Sequence, residues 1–142
     1  ASKVNRGELL TPSVLLPELG PQKKWRIVLW QTGSCSQGCI EQLDTLSKVR
    51  LALGRRFYEV DLWLLLSKAP LPDDKRLQML KPYHMHMKSL SRADTDTLAH
   101  AALTNQVFIV NPEGYAILGY KNANNPNDIF KDLKVLLNTS QS

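Results

Sequence analysis

A chain of 142 residues, 43% apolar and 22% charged, has the length and core material of one domain and too little charge to stay disordered. Eighteen basic and 13 acidic side chains leave a net charge of +5, but the basic residues fall in short pairs (Lys23-Lys24, Arg55-Arg56, Lys75-Arg76) with no aromatics between them. That pattern describes a solvated surface with a mild preference for acidic partners or anionic lipid, and it argues against nucleic acid. The longest apolar stretch, Leu62 to Leu66, is far too short to span a bilayer. The chain opens on Ala1, which fits a segment whose export signal or membrane anchor has been removed.

Residues 1–24 carry Pro12, Pro17 and Pro21, a density that excludes a long helix and predicts an extended lead-in, with room for a short edge hairpin. The main domain then runs over 25–142. Trp25 to Gln31 is nearly continuously apolar and reads as a central strand covered on both faces. A helix is expected from about Cys39 to Leu53, stopped by Gly54, with Arg50, Arg55 and Arg56 at its negative end. Phe57 to Leu66 reads as a second strand, parallel to the first through a right-handed crossover. Residues 67–74 are loop, and Asp73 or Asp74 can cap a short helix over Lys75 to Leu80 that Pro82 ends. Tyr83 to Lys88 fits a short strand, and Asp94 to Leu103 a helix entered through Asp94 or Thr95. Strands over Gln106–Val110 and Tyr115–Tyr120 flank the turn Asn111-Pro112-Glu113-Gly114 and form an antiparallel hairpin. A last helix starts near Pro126 and shows Ile129, Phe130, Leu133, Leu136 and Leu137 on one face. Trp25, Trp30 and Trp63 read as core.

The two cysteines stand in Ser34-Cys35-Ser36-Gln37-Gly38-Cys39, where the first strand ends and the first helix begins. Free N–H groups and the helix dipole favour a thiolate there. The spacing of four puts both sulfurs on one face of the first turn, close enough for a disulfide or for one soft metal ion between them. Cys35 is expected to be the more exposed and more acidic thiol. The bland alternative is a pair of neighbouring core cysteines.

A strand, a two-cysteine junction, a helix and a parallel strand, then a hairpin and a closing helix, resemble the thioredoxin fold: an α/β mixed sheet flanked by helices. The C-x-x-x-C spacing resembles the Sco/SenC proteins that assist copper loading of cytochrome c oxidase. More closely, the chain resembles a Sco-related group of small proteobacterial inner-membrane proteins encoded near haem–copper oxidase genes. The stretches that carry this likeness are Asn5-Arg6-Gly7-Glu8-Leu9-Leu10, Ser34-Cys35 to Cys39, Val49-Arg50-Leu51-Ala52-Leu53-Gly54, Val110-Asn111-Pro112-Glu113-Gly114 and Asp132-Leu133-Lys134-Val135-Leu136-Leu137. The resemblance implies a membrane-anchored domain on the periplasmic face of the bacterial inner membrane, its anchor outside this sequence. It makes Cys35 and Cys39 a redox pair or Cu(I) ligands. It implies a protein partner: a cytochrome c oxidase subunit, or another copper or thiol protein. Two departures stand out. The histidine that Sco proteins place nine residues before the proline of the turn is Leu103 here, with His100 nearly one helical turn away. The cis-proline that oxidoreductases place before the third core strand is replaced by Thr104-Asn105.

His84-Met85-His86-Met87 is the second stretch with metal-binding chemistry, because imidazole suits copper and thioether suits Cu(I). On a strand, His84 and His86 would share one face and Met85 and Met87 the other. The simpler reading is a half-buried strand with methionines inward. Three functions follow as expectations. Cu(I) handling in oxidase assembly through Cys35 and Cys39 comes first, with His100, His84 and His86 as further candidate ligands. Thiol–disulfide exchange on a partner's cysteines, an enzymatic activity, comes second. A non-catalytic assembly scaffold with a structural disulfide comes third.

Overall fold

The apolar run that begins at Trp25 becomes the middle of a six-stranded sheet. The computed structural model describes residues 5–102 and 104–139. In chain order its strands are β1 (Glu8–Leu15), β2 (Trp25–Thr32), β3 (Val60–Ser67), β4 (His86–Ser89), β5 (Val107–Val110) and β6 (Tyr115–Tyr120). Its helices are α1 (Gln37–Ala52), α2 (Asp74–Leu80), α3 (Arg92–Ala102) and α4 (Pro126–Thr139). The sheet order is β1-β6-β5-β2-β3-β4. β2 and β3 are parallel neighbours, with Trp25 opposite Val60 and Thr32 opposite Ser67, while β5 pairs antiparallel with β2 and with β6. The expected mixed sheet and hairpin are therefore present.

Two apolar layers cover the sheet, one on each face. Ile27, Leu29, Leu62, Leu64, Val107 and Ile109 point toward α1 and α4, whose Leu43, Leu46, Leu133 and Leu137 complete the first cluster. Val28, Leu65, Phe108 and Val110 point the other way, toward Leu98 and Ala102 of α3 and toward Leu10, Val14, Leu16 and Leu19 from the N-terminal segment. β3 is buried along its whole length, which explains its apolar run from Leu62 to Leu66.

Several boundaries differ from the sequence reading, each for a physical reason. Gly54 stops α1 with φ +63, but Gly54–Glu59 then forms a 3₁₀ helix, so β3 begins at Val60 and not at Phe57. Arg50 drives this arrangement. Its guanidinium lies 3.8 Å from the centre of the Phe57 ring and 3.7 Å from Asp61, and its Nε donates to the Val60 carbonyl. The lead-in is more than an extended strap, because Glu8–Leu15 adds to the sheet beside β6. α3 is entered through Ser91, whose hydroxyl accepts from the Asp94 amide at 3.0 Å, not through Asp94 or Thr95. α2 is capped as expected by Asp73, which accepts from the Arg76 amide at 2.9 Å. Pro82 sits inside a further 3₁₀ turn, Lys81–Tyr83. Trp63 is buried, whereas Trp25 and Trp30 are only half-buried. Among the described residues, no helix is long and apolar enough to cross a membrane.

One buried charge was hidden in the apolar run. Arg26 on β2 is fully buried, and its guanidinium donates to the carbonyls of Leu19 and Gly20 at 3.1 and 3.0 Å and of Asn111 at 2.9 Å. It thereby ties the N-terminal segment to the β5–β6 turn. Burial pulls its pKa down, opposed by Asp61 and Glu113.

Candidate functional site

β2 ends at Thr32, and Gly33 then turns the chain with φ +100 while its amide donates to the Ser67 carbonyl at the end of β3. This backbone bond fixes where the cysteine loop leaves the sheet. Beneath it lies a closed polar relay: Trp30 Nε1 donates to Ser67 Oγ at 2.8 Å, and Ser67 Oγ and Thr95 Oγ1 share a hydrogen bond of 2.8 Å. The relay joins β2, β3 and α3 at the end of the sheet from which the cysteine loop leaves.

Cys35 and Cys39 form a disulfide, with Cα atoms 5.2 Å apart. The spacing produces this in a different way from that expected. Ser36 is the N-cap of α1, with extended φ and ψ, so Cys35 lies outside the helix and Cys39 in its first turn. The two sulfurs do not share a helical face; the turn at Ser36 brings them together. The first turn of α1 holds no acidic residue, and the Ser36 side chain makes no capping hydrogen bond. On reduction, the positive end of α1 therefore acts on the thiolates with no carboxylate in its own first turn to oppose it.

Both cysteines are well covered, with Cys35 5% and Cys39 1% exposed. Their settings nonetheless differ. Cys35 lines an open groove with Ser34, Pro70, Leu71, Pro72, Asp73 and Arg76. Both cysteines belong to the first apolar cluster with Ile40 and Leu43, but Cys39 does not reach the groove. Access to the disulfide is thus one-sided, through Cys35. The groove residues were read from sequence only as loop and short helix; the Pro-Leu-Pro-Asp-Asp run after a buried strand was the available signal.

The candidate histidines stand elsewhere. His100, on α3, lines a cleft against β1 with Asp96 and Thr97, and α3 covers the sheet face opposite the cysteine cluster. His86 pairs with Trp63, four residues before the Ser67 end of β3. Its ring stacks on Trp63 at 4.8 Å, with Nε2 3.6 Å from Asp61. His84 does not share a strand face with His86. It precedes β4 with φ 50 and ψ 47, a left-handed residue that breaks the alternation. Leu103, at the Sco histidine position, lies outside the described residues. Among those described, no three His, Cys, Asp or Glu side chains gather where they could hold a metal ion. At the position of the oxidoreductase cis-proline, the Asn105 side chain is buried and donates to Glu8 of β1 at 2.6 Å.

A central strand that delivers a cysteine pair to the start of a helix, with a parallel neighbour and an antiparallel hairpin beside it, defines a thioredoxin-like protein. The chain is similar to the thioredoxin domain of a Bacteroides vulgatus thiol-disulfide oxidoreductase, with 13% identity, 94% of this chain and 99% of that one covered, and a TM-score of 0.56. It is also similar to copper-bound ScoI from Bradyrhizobium japonicum, at 13% identity, 91% and 98% coverage and a TM-score of 0.54. Copper-bound ScoI from Arabidopsis thaliana gives 16% identity, 96% and 99% coverage and a TM-score of 0.58. Residues 25–140 match the transmembrane-like, thioredoxin-like, C-terminal domain model, and the chain belongs to that family. No curated protein sequence matches it.

Proposed function

We propose that Cys35 and Cys39 are a dithiol–disulfide couple that exchanges with cysteines of a partner protein. The observation that supports this reading is the one-sided access: both cysteines are buried, but Cys35 borders an open groove and Cys39 does not. A partner thiolate attacks Cys35 Sγ, the Cys35–Cys39 bond breaks, and Cys39 leaves as a thiolate at the start of α1. A second partner thiolate then attacks the partner sulfur of the mixed disulfide and releases Cys35. The partner's two thiols become a disulfide, this protein gains two electrons, and the protons from the partner thiols pass to Cys35, Cys39 or solvent. Run backwards, the same steps reduce a partner disulfide, and the relative potentials set the direction.

Sequence alone puts Cu(I) handling first; we put exchange first because Cys35 borders a groove that a partner cysteine could enter. Cu(I) cargo remains the second reading. Two soft sulfurs held 5.2 Å apart at their Cα atoms suit a two-coordinate thiolate site once reduced. In either reading we place the domain at the periplasmic face of a bacterial inner membrane, with an oxidase subunit or another copper or thiol protein as partner.

The test is trapping. Cys39→Ser should accumulate a mixed disulfide through Cys35 with a dithiol or disulfide partner, and Cys35→Ser should not. Equal trapping by both variants, or by neither, would sink the exchange reading. An anaerobic Cu(I) competition titration of the reduced protein against the same variants tests the copper reading.

A further inference from the structure

Met85, Met87 and His84 line one groove, together with Leu77, Gln78, Leu80 and Lys81. Regular strand alternation would have put His84 with His86, on the side away from the methionines. The left-handed backbone at His84 breaks that alternation, and His84 lines the groove together with the methionines. His86 keeps the opposite face, stacked on Trp63. Left-handed φ is uncommon in a non-glycine residue, and such residues recur at ligand sites. Met85 and Met87 are half-buried against the first apolar cluster, so their thioethers are positioned and not freely swinging.

From this juxtaposition we propose a soft, monovalent metal site, for Cu(I), at Met85, Met87 and His84, separate from the cysteine pair. The donor set decides the class of ion. Thioether sulfur selects Cu(I), and imidazole is acceptable to it. No carboxylate is among the residues lining the groove, which disfavours hard divalent cations. The site does not depend on the redox state of Cys35 and Cys39, so it stands or falls apart from thiol exchange.

The native disulfide supplies a clean test, because the oxidised protein offers no thiolate. Ag(I), a redox-inert soft monovalent ion, is titrated in chloride-free buffer into oxidised protein labelled at the methionine methyl carbons. The chain has three methionines, and Met79, 46% exposed on α2 and outside the groove, is an internal control. The Met85 and Met87 signals should move together to single-site saturation while Met79 stays still. His84→Asn, which tolerates the left-handed backbone, and Met85→Leu should each weaken binding roughly tenfold or more, as loss of supporting partners does in other metal sites. Shifts equal at all three methionines, no saturable shift, or undiminished binding in His84→Asn would overturn the proposal.

Discussion

The Gly7 amide donates to the Asp132 carboxylate at 2.8 Å, across 125 residues of sequence. Asp132 is 3% exposed and also accepts from the Arg6 amide at 2.8 Å and the Tyr120 hydroxyl at 2.7 Å. A buried carboxylate thus fastens the start of β1 to α4 and the end of β6. The stretches Asn5–Leu10 and Asp132–Leu137, both part of the likeness read from sequence, meet at this carboxylate. A Cβ added to Gly7 would lie 2.6 Å from the Tyr120 ring, so glycine is required there for close approach.

Asp132→Asn should destabilise the fold by about 2 kcal/mol, the range for hydrogen bonds to a charged group. Gly7→Ala should also destabilise it, because the ring is held by its own hydrogen bond and must shift. Chemical denaturation of the three proteins checks both. A wild-type midpoint in either variant would mean the clamp contributes nothing.

Tyr120 supplies a pH signature for the same clamp. Burial, reinforced by the hydrogen bond to Asp132, pushes its pKa well above the ordinary value of 10.0. Above about pH 10 the unfolded phenol loses its proton, while the folded one keeps it. The unfolded state then binds fewer protons, so stability falls as pH rises. The advantage of wild type over Tyr120→Phe should therefore be full below pH 10 and shrink above it, as read by denaturation midpoints from pH 8 to 11. A constant difference would contradict the assignment.

Local pattern made the β2–α1–β3 unit, the hairpin and α4 legible, because each has its own periodicity and turn chemistry. The missed features depend on partners distant in sequence. Glu8–Leu15 becomes a strand only because β6 offers an edge. Arg26 passed as part of an apolar run; a lone arginine in a buried strand implies carbonyl partners, but not which ones. The cysteine spacing allowed a disulfide or a metal pair, yet did not show that Cys35 lies outside the helix, since that depends on Ser36 being the N-cap. The left-handed turn at His84 has no signal of its own beside an ordinary alternating pattern.

Arg26→Lys should cost roughly 2–3 kcal/mol. It keeps the charge but loses the planar fork, leaving buried carbonyls short of donors. Arg26→Met, which removes the buried charge as well, should cost no more than Arg26→Lys if the fork geometry matters more than the charge. Urea denaturation of both variants decides between these.

Reduction of the disulfide should cost stability modestly and change reactivity unevenly. Cross-linking so short a loop is worth about 2 kcal/mol by loop entropy, which for a chain of this size is a fall in Tm of roughly 4–8 °C. In the reduced protein Cys35 should be alkylated before Cys39 at neutral pH, because it borders the groove while Cys39 is 1% exposed. Arg76 lines that groove, so its guanidinium favours the Cys35 thiolate. Arg76→Gln should slow Cys35 alkylation about twofold, the effect of a partly solvated charge worth roughly 0.5 kcal/mol, and the effect should fade in high salt. Mass mapping of the first alkylated site, with rates at low and high ionic strength, measures both. Cys39 reacting first would overturn the one-sided access on which thiol exchange through Cys35 rests.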